Sequence, residues 1–400
     1  MPSPSPSPIE PSERIGNIDI LRGIALFIVL LINAATEFRV SIFDQLLPGP
    51  RATGPADQVF GAIILALNSK GFILFSFLFG VGLAIQFDRL AGNDRRFALM
   101  LRRIAILLAF GLTHLFLIWN GDILTEYAIV AFAVLPLLYG PRWLLAAASA
   151  LSFGLYLATP LLPPIIPFPN AAWITHHVEE ARRAYGAGSF TDILTFRIHE
   201  VPYIVPLHVY VLPRTFGLFL LGAVVWRTRF FRRPISSKSS LVVAACFALA
   251  VGAWMTIAAE KGEAFGWPLD WPRRHIAQSL SQLVLAFGYG VTILLLAEST
   301  LGRKFVGWAG PLGRMALTSY LVQSIVLSCI FYSFGFALFG RLSVAQAIAI
   351  AAGIYTAQAA FSAWWLGRFR FGPMEWLWRS LTYGELQRPW RASAPAADLR

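Results

Sequence analysis

Residues 97–124 read FALMLRRIAILLAFGLTHLFLIWNGDIL, an apolar run of about the 20 residues that cross a bilayer, closing on a histidine, an amide, a glycine and an acid. Polar groups in hydrocarbon are costly, so their recurrence in or beside apolar runs marks where a membrane protein holds a ligand or ties its own helices together. The pattern recurs along the chain. Asp19, Arg22 and Asn33 fall in the first apolar run and Asn68 and Lys70 in the second, while His114, Asn120 and Asp122 belong to the quoted stretch.

Of 400 residues, 57% are hydrophobic and 14% charged, with a mean hydropathy of +0.63. A soluble domain carries about a quarter charged residues, so this composition places the chain in a bilayer. Runs of spanning length occur near 20–37, 59–86, 97–118, 123–140, 143–160, 203–226, 240–259, 278–298, 315–339 and 344–366. They predict an all-α, polytopic integral membrane helix bundle of about ten transmembrane helices, the runs being too long and continuous for barrel strands. About two-thirds of the 33 Lys and Arg residues fall on the side of the N-terminus when the spans alternate, which makes both termini cytoplasmic. The formal net charge of +12 then belongs to helix ends facing anionic lipid headgroups, not to nucleic acid. Membrane lipids are the expected partners.

Residues 1–13, rich in Ser and Pro, read as a disordered lead-in without the order of a cleavable signal. The first membrane half, 14–160, carries most of the polar motifs. An outward segment, 161–202, separates it from a second half, 203–370, and contains a short amphipathic helix near 174–185 with His176, His177, Glu179 and Glu180. This segment either roofs an outward cavity or serves as an inert connector. Residues 371–400 form a cytoplasmic polar-aromatic tail, where Glu375 and Arg379 are spaced to pair on one helical turn. Cys246 and Cys329 suggest neither a disulfide nor a metal site.

Asp19 and Arg22, three apart, share a helical face. Near the cytoplasmic boundary, Arg22 is suited either to hold a phosphate or carboxylate bidentately or to snorkel in an interfacial ion pair. Asn33 lies about 16 Å deeper on roughly the same face. Lys70 needs a carboxylate, a wet cavity or deprotonation; Asp122 and Glu126 are its candidate counter-charges, with ligand contact the alternative. His114 lies about 16 Å along its helix from Arg103. The Asn120-Gly121 turn allows Asp122 to fold back on its imidazole, orienting it as a general base; capping the next helix is the competing role for Asp122. Tyr320, Gln323 and Ser324 form a polar stripe on the ninth span. Asp19, Arg22, Asn68, Lys70, His114, Asn120 and Asp122 are expected to border one internal polar cavity, because separate burial would leave charges unpaired. Gly80 and Gly82 indicate close helix packing; no phosphate-loop, zincin or nucleophile-elbow motif occurs.

IDILRGIALFIVLLIN at 18–33, SFLFGVG at 76–82, RRIAILLAFGLTHLFLIWNGDIL at 102–124, GRMALTSYLVQS at 313–324 and GPMEWLWRSLTYG at 372–384 together resemble the bacterial YeiB-type membrane proteins, known as domain of unknown function 418. The likeness runs from about residue 14 to residue 390, departing at 318–320, where TSY stands in place of the TNY common in the family; this weakens a direct role for Ser319. It implies a multi-pass protein of the bacterial plasma (inner) membrane. The first-span Asp19 and Arg22 also resemble the opening of polytopic acyltransferases of the heparan-glucosaminide acetyltransferase and acyltransferase-3 groups. That resemblance implies an O- or N-acyltransferase taking its acyl group from a cytoplasmic donor, acetyl-CoA or another acyl-CoA, and passing it to an extracytoplasmic sugar, lipid or small-molecule acceptor, without a metal. Arg22, with Arg102 or Arg103, would hold the donor, His114 and Asp122 would act on the acceptor, and Asn68 or Asn120 would support the oxyanion. A proton- or anion-coupled transporter built on Lys70, His114 and Asp122, and a scaffold without turnover, are the alternatives.

Overall fold

The computed structural model describes residues 16–47, 55–163, 166–232 and 237–390; the lead-in 1–13 and the last ten residues of the tail lie outside them. The first apolar run forms α1 (Gly16–Ile32), extended by a π-helical turn, Asn33–Phe38. A broken helix follows, α2 (Pro55–Leu67) and α3 (Lys70–Arg89), then α4 (Arg96–Thr113), a second π-helical turn at His114–Ile118, α5 (Leu124–Leu137) and α6 (Arg142–Ala158). The segment 161–202 contains α7 (Ala171–Ala187) and the first turns of α8 (Phe190–Arg227). The rest comprises α9 (Lys238–Lys261), α10 (Trp271–Glu298), α11 (Thr300–Val306), α12 (Gly310–Arg314), α13 (Ala316–Phe331), α14 (Val344–Arg368) and α15 (Pro373–Tyr383). Two short antiparallel strands, Glu263–Ala264 and Trp267–Pro268, close the turn between α9 and α10.

Among the described residues, eight helices are long and apolar enough to span a membrane, and nine if α11–α12 and α13, bent by 86°, count as one crossing. The chain is therefore a multi-pass membrane protein. The expected span at 123–140 is the short one. Its helix, α5, has only 14 residues because Asp122 starts it and Pro136 and Gly140 end it. Packed against α4 and α8, it still has both ends satisfied: Arg227 donates to the carbonyls of Gly140 (2.7 Å) and Leu138, complementing the negative C-terminal pole.

Helix α1 runs through the centre of the bundle, against α3, α10, α12 and α14. Glycines set the closest crossings. A Cβ on Gly80 of α3 would overlap the Phe219 backbone of α8, and one on Gly222 would overlap the backbone of Phe77, so α3 and α8 touch main chain to main chain. Gly23 and Gly313 bring α1 and α12 together in the same way. Replacing Gly222 by leucine is expected to force the pair apart and destabilise the fold by at least about 1–3 kcal/mol, read as a lowered unfolding temperature in detergent. A variant melting like the wild type would contradict this packing.

Candidate functional site

The buried polar groups concentrate where α4 breaks. Gly111 has no Cβ to clash with the Leu124–Thr125 backbone, so the start of α5 lies directly against α4 one turn before His114. The helix then widens, Trp119 N donating to His114 O at 2.8 Å, and Gly121 turns the chain beneath the Trp119 ring. This geometry returns Asp122 to the imidazole. Asp122 Oδ1 lies 2.8 Å from His114 Nδ1, and both side chains are fully buried. The carboxylate also accepts from Leu124 N (3.1 Å) and Thr125 N (2.6 Å), so the two roles expected for Asp122, histidine partner and helix cap, coexist. The Nδ1 contact is close in distance but not aligned as a hydrogen bond, and among the described residues Nε2 has no hydrogen-bond partner. Tyr320 covers the ring with centroids 5.0 Å apart, and its hydroxyl accepts from Ile123 N at 3.4 Å.

A second pair lies one helical turn along α5. Glu126 Oε2 meets His208 Nδ1 at 2.9 Å, and Oε1 accepts from Thr215 Oγ1 at 2.5 Å. Asp122 and Glu37, the latter on the Asn33–Phe38 turn, both lie close enough to bear electrostatically on His208. Asn33 opens that turn with its amide oxygen buried and unpartnered among the described residues. Beyond the Asn120 turn, Glu200 of α8 gathers three donors: Asn120 Nδ2, His177 Nε2 at 2.9 Å and the Tyr185 hydroxyl at 3.2 Å. Glu200 and Arg197 are each only 1% exposed; Arg197 donates to Leu117 O at 3.2 Å and lies over the Tyr332 ring. These two opposite charges one turn apart limit the cost of burying either.

Several expected placements are corrected. Lys70 forms no ion pair among the described residues. Ser69 takes a left-handed conformation (φ 65°) that breaks α2 from α3, and the Lys70 ammonium folds back to donate to Leu65 O at 2.8 Å. The C-terminal pole of α2 thus replaces the expected carboxylate. Tyr289 takes the neighbouring Ala66 carbonyl. Asn68 sits in the same break, half-buried. Arg22 pairs with Asp19 at 3.4 Å, on the part of α1 facing Gly82 of α3, whose missing side chain leaves room for the guanidinium. Arg103 instead lies under the Trp378 ring at 3.7 Å, and Arg102 lies beside Gly384, so both meet the tail helix. The seven residues expected around one cavity therefore divide among three places, and only His114, Asn120 and Asp122 come together.

On the tail, Glu375 accepts from Leu317 N, Thr318 N and Thr318 Oγ1, capping α13 rather than pairing with Arg379. The unsatisfied N–H groups at the helix start hold the carboxylate, while the half-buried Arg379 guanidinium is engaged elsewhere. Burial pushes the Glu375 carboxyl above the usual carboxylate range, against the opposing pull of these hydrogen bonds. Arg379 contacts Gln387 and the rings of Phe371 and Tyr383. Gln323 donates to Gln358 at 2.8 Å, which in turn donates to Ser319 O, so this part of the polar stripe joins α13 to α14. Among the described residues no cluster of His, Cys, Asp or Glu could hold a metal, and both cysteines are free.

Sequence reading missed Glu200, Arg197 and His208. Arg197 and Glu200 belong to a segment read either as a roof over an outward cavity or as an inert connector, although Ser189 and Asp192 already carry the capping-box signature of a helix start there. A cleft of about 540 Å³ opens beside this cluster, between α7 and α8.

The family described as "Protein of unknown function (DUF418)" matches residues 225–385. The chain is 33% identical over 395 residues to the uncharacterized protein YxaH of Bacillus subtilis, covering 93% of this chain and 95% of that protein. It is 28% identical over 415 residues to the uncharacterized protein YeiB of Escherichia coli, covering 96% and 98% respectively. No solved structure matches it.

Proposed function

This chain belongs to the DUF418 family of polytopic membrane proteins, and we propose that it is a membrane acyltransferase acting through His114. One observation carries the reading: a fully buried histidine with a carboxylate 2.8 Å from Nδ1 and, among the described residues, no hydrogen-bond partner on Nε2. Such a pair can take a proton from a hydroxyl or amine and stabilise the resulting imidazolium. In the proposed step Nε2 removes the acceptor's proton as its oxygen or nitrogen attacks the thioester carbonyl. The new acyl bond forms, the carbon–sulfur bond breaks, and the imidazolium returns the proton to the departing thiolate.

The donor, a coenzyme A thioester, enters from the cytoplasmic side, where Arg22 offers a guanidinium backed by Asp19. Arg102 and Arg103, engaged by the tail, contribute charge at that mouth rather than the clamp itself. Because Arg103 and His114 are about 16 Å apart along one helix, only an extended acyl arm reaches the base. Tyr320 over the imidazole is better placed to steady an oxyanion than Asn68, and Asn120 already donates to Glu200.

Arg22→Ala is expected to weaken coenzyme A-thioester binding by about tenfold or more through loss of charge-assisted phosphate contacts. Titration of the purified protein with a non-hydrolysable acyl thioester measures this directly, and undiminished affinity would remove Arg22 from the donor site. Thiol release that rises when an acceptor is added tests the reaction. A second reading, proton-coupled transport, draws on Glu126 and His208, since two histidine–carboxylate pairs follow one another along α5. It requires gradient-driven uptake in the absence of any thioester.

A further inference from the structure

We infer that Arg214, buried where α6, α8 and α10 meet, binds the carboxylate of a small organic monoanion. The site stands apart from His114, and its occupation requires no acyl transfer. Arg214 falls in the middle of the apolar run 203–226, thirteen residues before Arg227, which ties that end of α8 to the Gly140 carbonyl. At 1.5 Å per residue this is about 20 Å into a hydrocarbon core of about 30 Å. An arginine at such depth normally has a partner in the protein, and one without it marks a ligand or ion site. Arg197 meets the rule by donating to Leu117 O. Arg214 does not. It is only 7% exposed, yet among the described residues it has no carboxylate within salt-bridge distance and no hydrogen bond, and its Nε is sealed from solvent.

The groups around the guanidinium are mostly neutral. The Tyr156 ring of α6 lies 5.8 Å from Arg214 Cζ, an attraction that gives the N–H groups no oxygen to bond. Tyr210, one turn before Arg214 on α8, sets its ring 5.7 Å from that of Tyr156, with Ser279 of α10 beside its hydroxyl. Arg214 also bears electrostatically on the Tyr127 hydroxyl of α5, which is bonded to Ser76. Glu126, the acid next to Tyr127, is taken by His208 and Thr215. The described residues thus gather one cation and the hydroxyls of Tyr156 and Tyr210 without an acid of their own to balance the charge. A guanidinium presents parallel N–H groups that match the two oxygens of a carboxylate, and phenol hydroxyls donate to the lone pairs that remain. One cation balances one negative charge. A phosphate dianion would keep an unbalanced charge in a low-dielectric interior, a cost that the neighbouring Glu126 carboxylate increases.

Calorimetry and ligand-observed NMR on the full chain in nanodiscs of zwitterionic lipid, with butyrate, butan-1-ol and inorganic phosphate as probes, test the proposal. Butyrate is expected to bind, with the alcohol and phosphate each at least about tenfold weaker. Arg214→Met removes the charge and keeps an apolar stem. Because the guanidinium has no ion-pair partner to orphan, this variant should melt at or above the wild-type temperature while binding butyrate at least about tenfold more weakly. Tyr156→Phe, which keeps the ring and drops the hydroxyl, should weaken binding by at least about threefold. Butyrate should also raise the unfolding temperature of the wild type and not that of Arg214→Met. No butyrate binding to the wild type, equal binding of the alcohol or of phosphate, or undiminished binding in Arg214→Met would each overturn it. So would an Arg214→Met chain that fails to insert and fold, since the guanidinium would then be serving the bundle itself.

Discussion

Replacing His114 by alanine is expected to lower acyl transfer by about 10³-fold while leaving donor affinity within about threefold. The imidazole is fully buried, and its proposed part is to take the acceptor's proton, so its removal acts on the barrier and not on donor capture. Asp122→Asn should also lower turnover with donor affinity close to unchanged. This variant is cleaner than Asp122→Ala, because its single amide oxygen can still accept from Thr125 N and keep α5 capped, while the Leu124 N bond to the other oxygen is lost. What it removes is the negative charge opposite a protonated ring. Steady-state transfer assays paired with donor titrations separate the two effects. Full turnover in His114→Ala would move the function to transport.

Glu200→Ala is expected to destabilise the fold by about 3–5 kcal/mol, the cost of breaking a buried charge network from one side. Asn120, His177 and Tyr185 would each lose an acceptor in a place where Glu200 is only 1% exposed. Glu200→Gln preserves shape and one acceptor oxygen, so a smaller loss is expected. Unfolding curves in detergent give both values. A Glu200→Ala protein as stable as the wild type would mean that water or lipid headgroups serve these groups, and that the cluster does not tie α7 and α8 to the Asn120 turn.

The parts of this site that are local in sequence could be read from it. Asp122 follows His114 by eight residues across an Asn-Gly turn, and Asp19 and Arg22 share one helical turn, so backbone periodicity alone brings each pair together. Glu126 and His208 are 82 residues apart, and Asn120 and Glu200 are 80 apart; only the packing of α5 and α8 joins them. Lys70 misled for another reason. Its partner is a main-chain carbonyl exposed by the α2–α3 break, and a serine in the left-handed region gives no sign of that break in its residue type. The apolar runs identified the membrane helices, but hydropathy does not register that Asp122 and Gly140 shorten α5, nor that α8 begins thirteen residues before its apolar run.

The most direct measurement uses the purified protein in sealed proteoliposomes, with a radiolabelled acetyl thioester of coenzyme A on the cytoplasmic side and methyl β-D-glucopyranoside or a glycolipid on the other. Acyl transfer through His114 predicts one free thiol per acylated acceptor, with the labelled product in the compartment opposite the donor and none formed by His114→Ala. Thioester left unconsumed across these acceptors, or label crossing the membrane without an acyl bond to any of them, would contradict it.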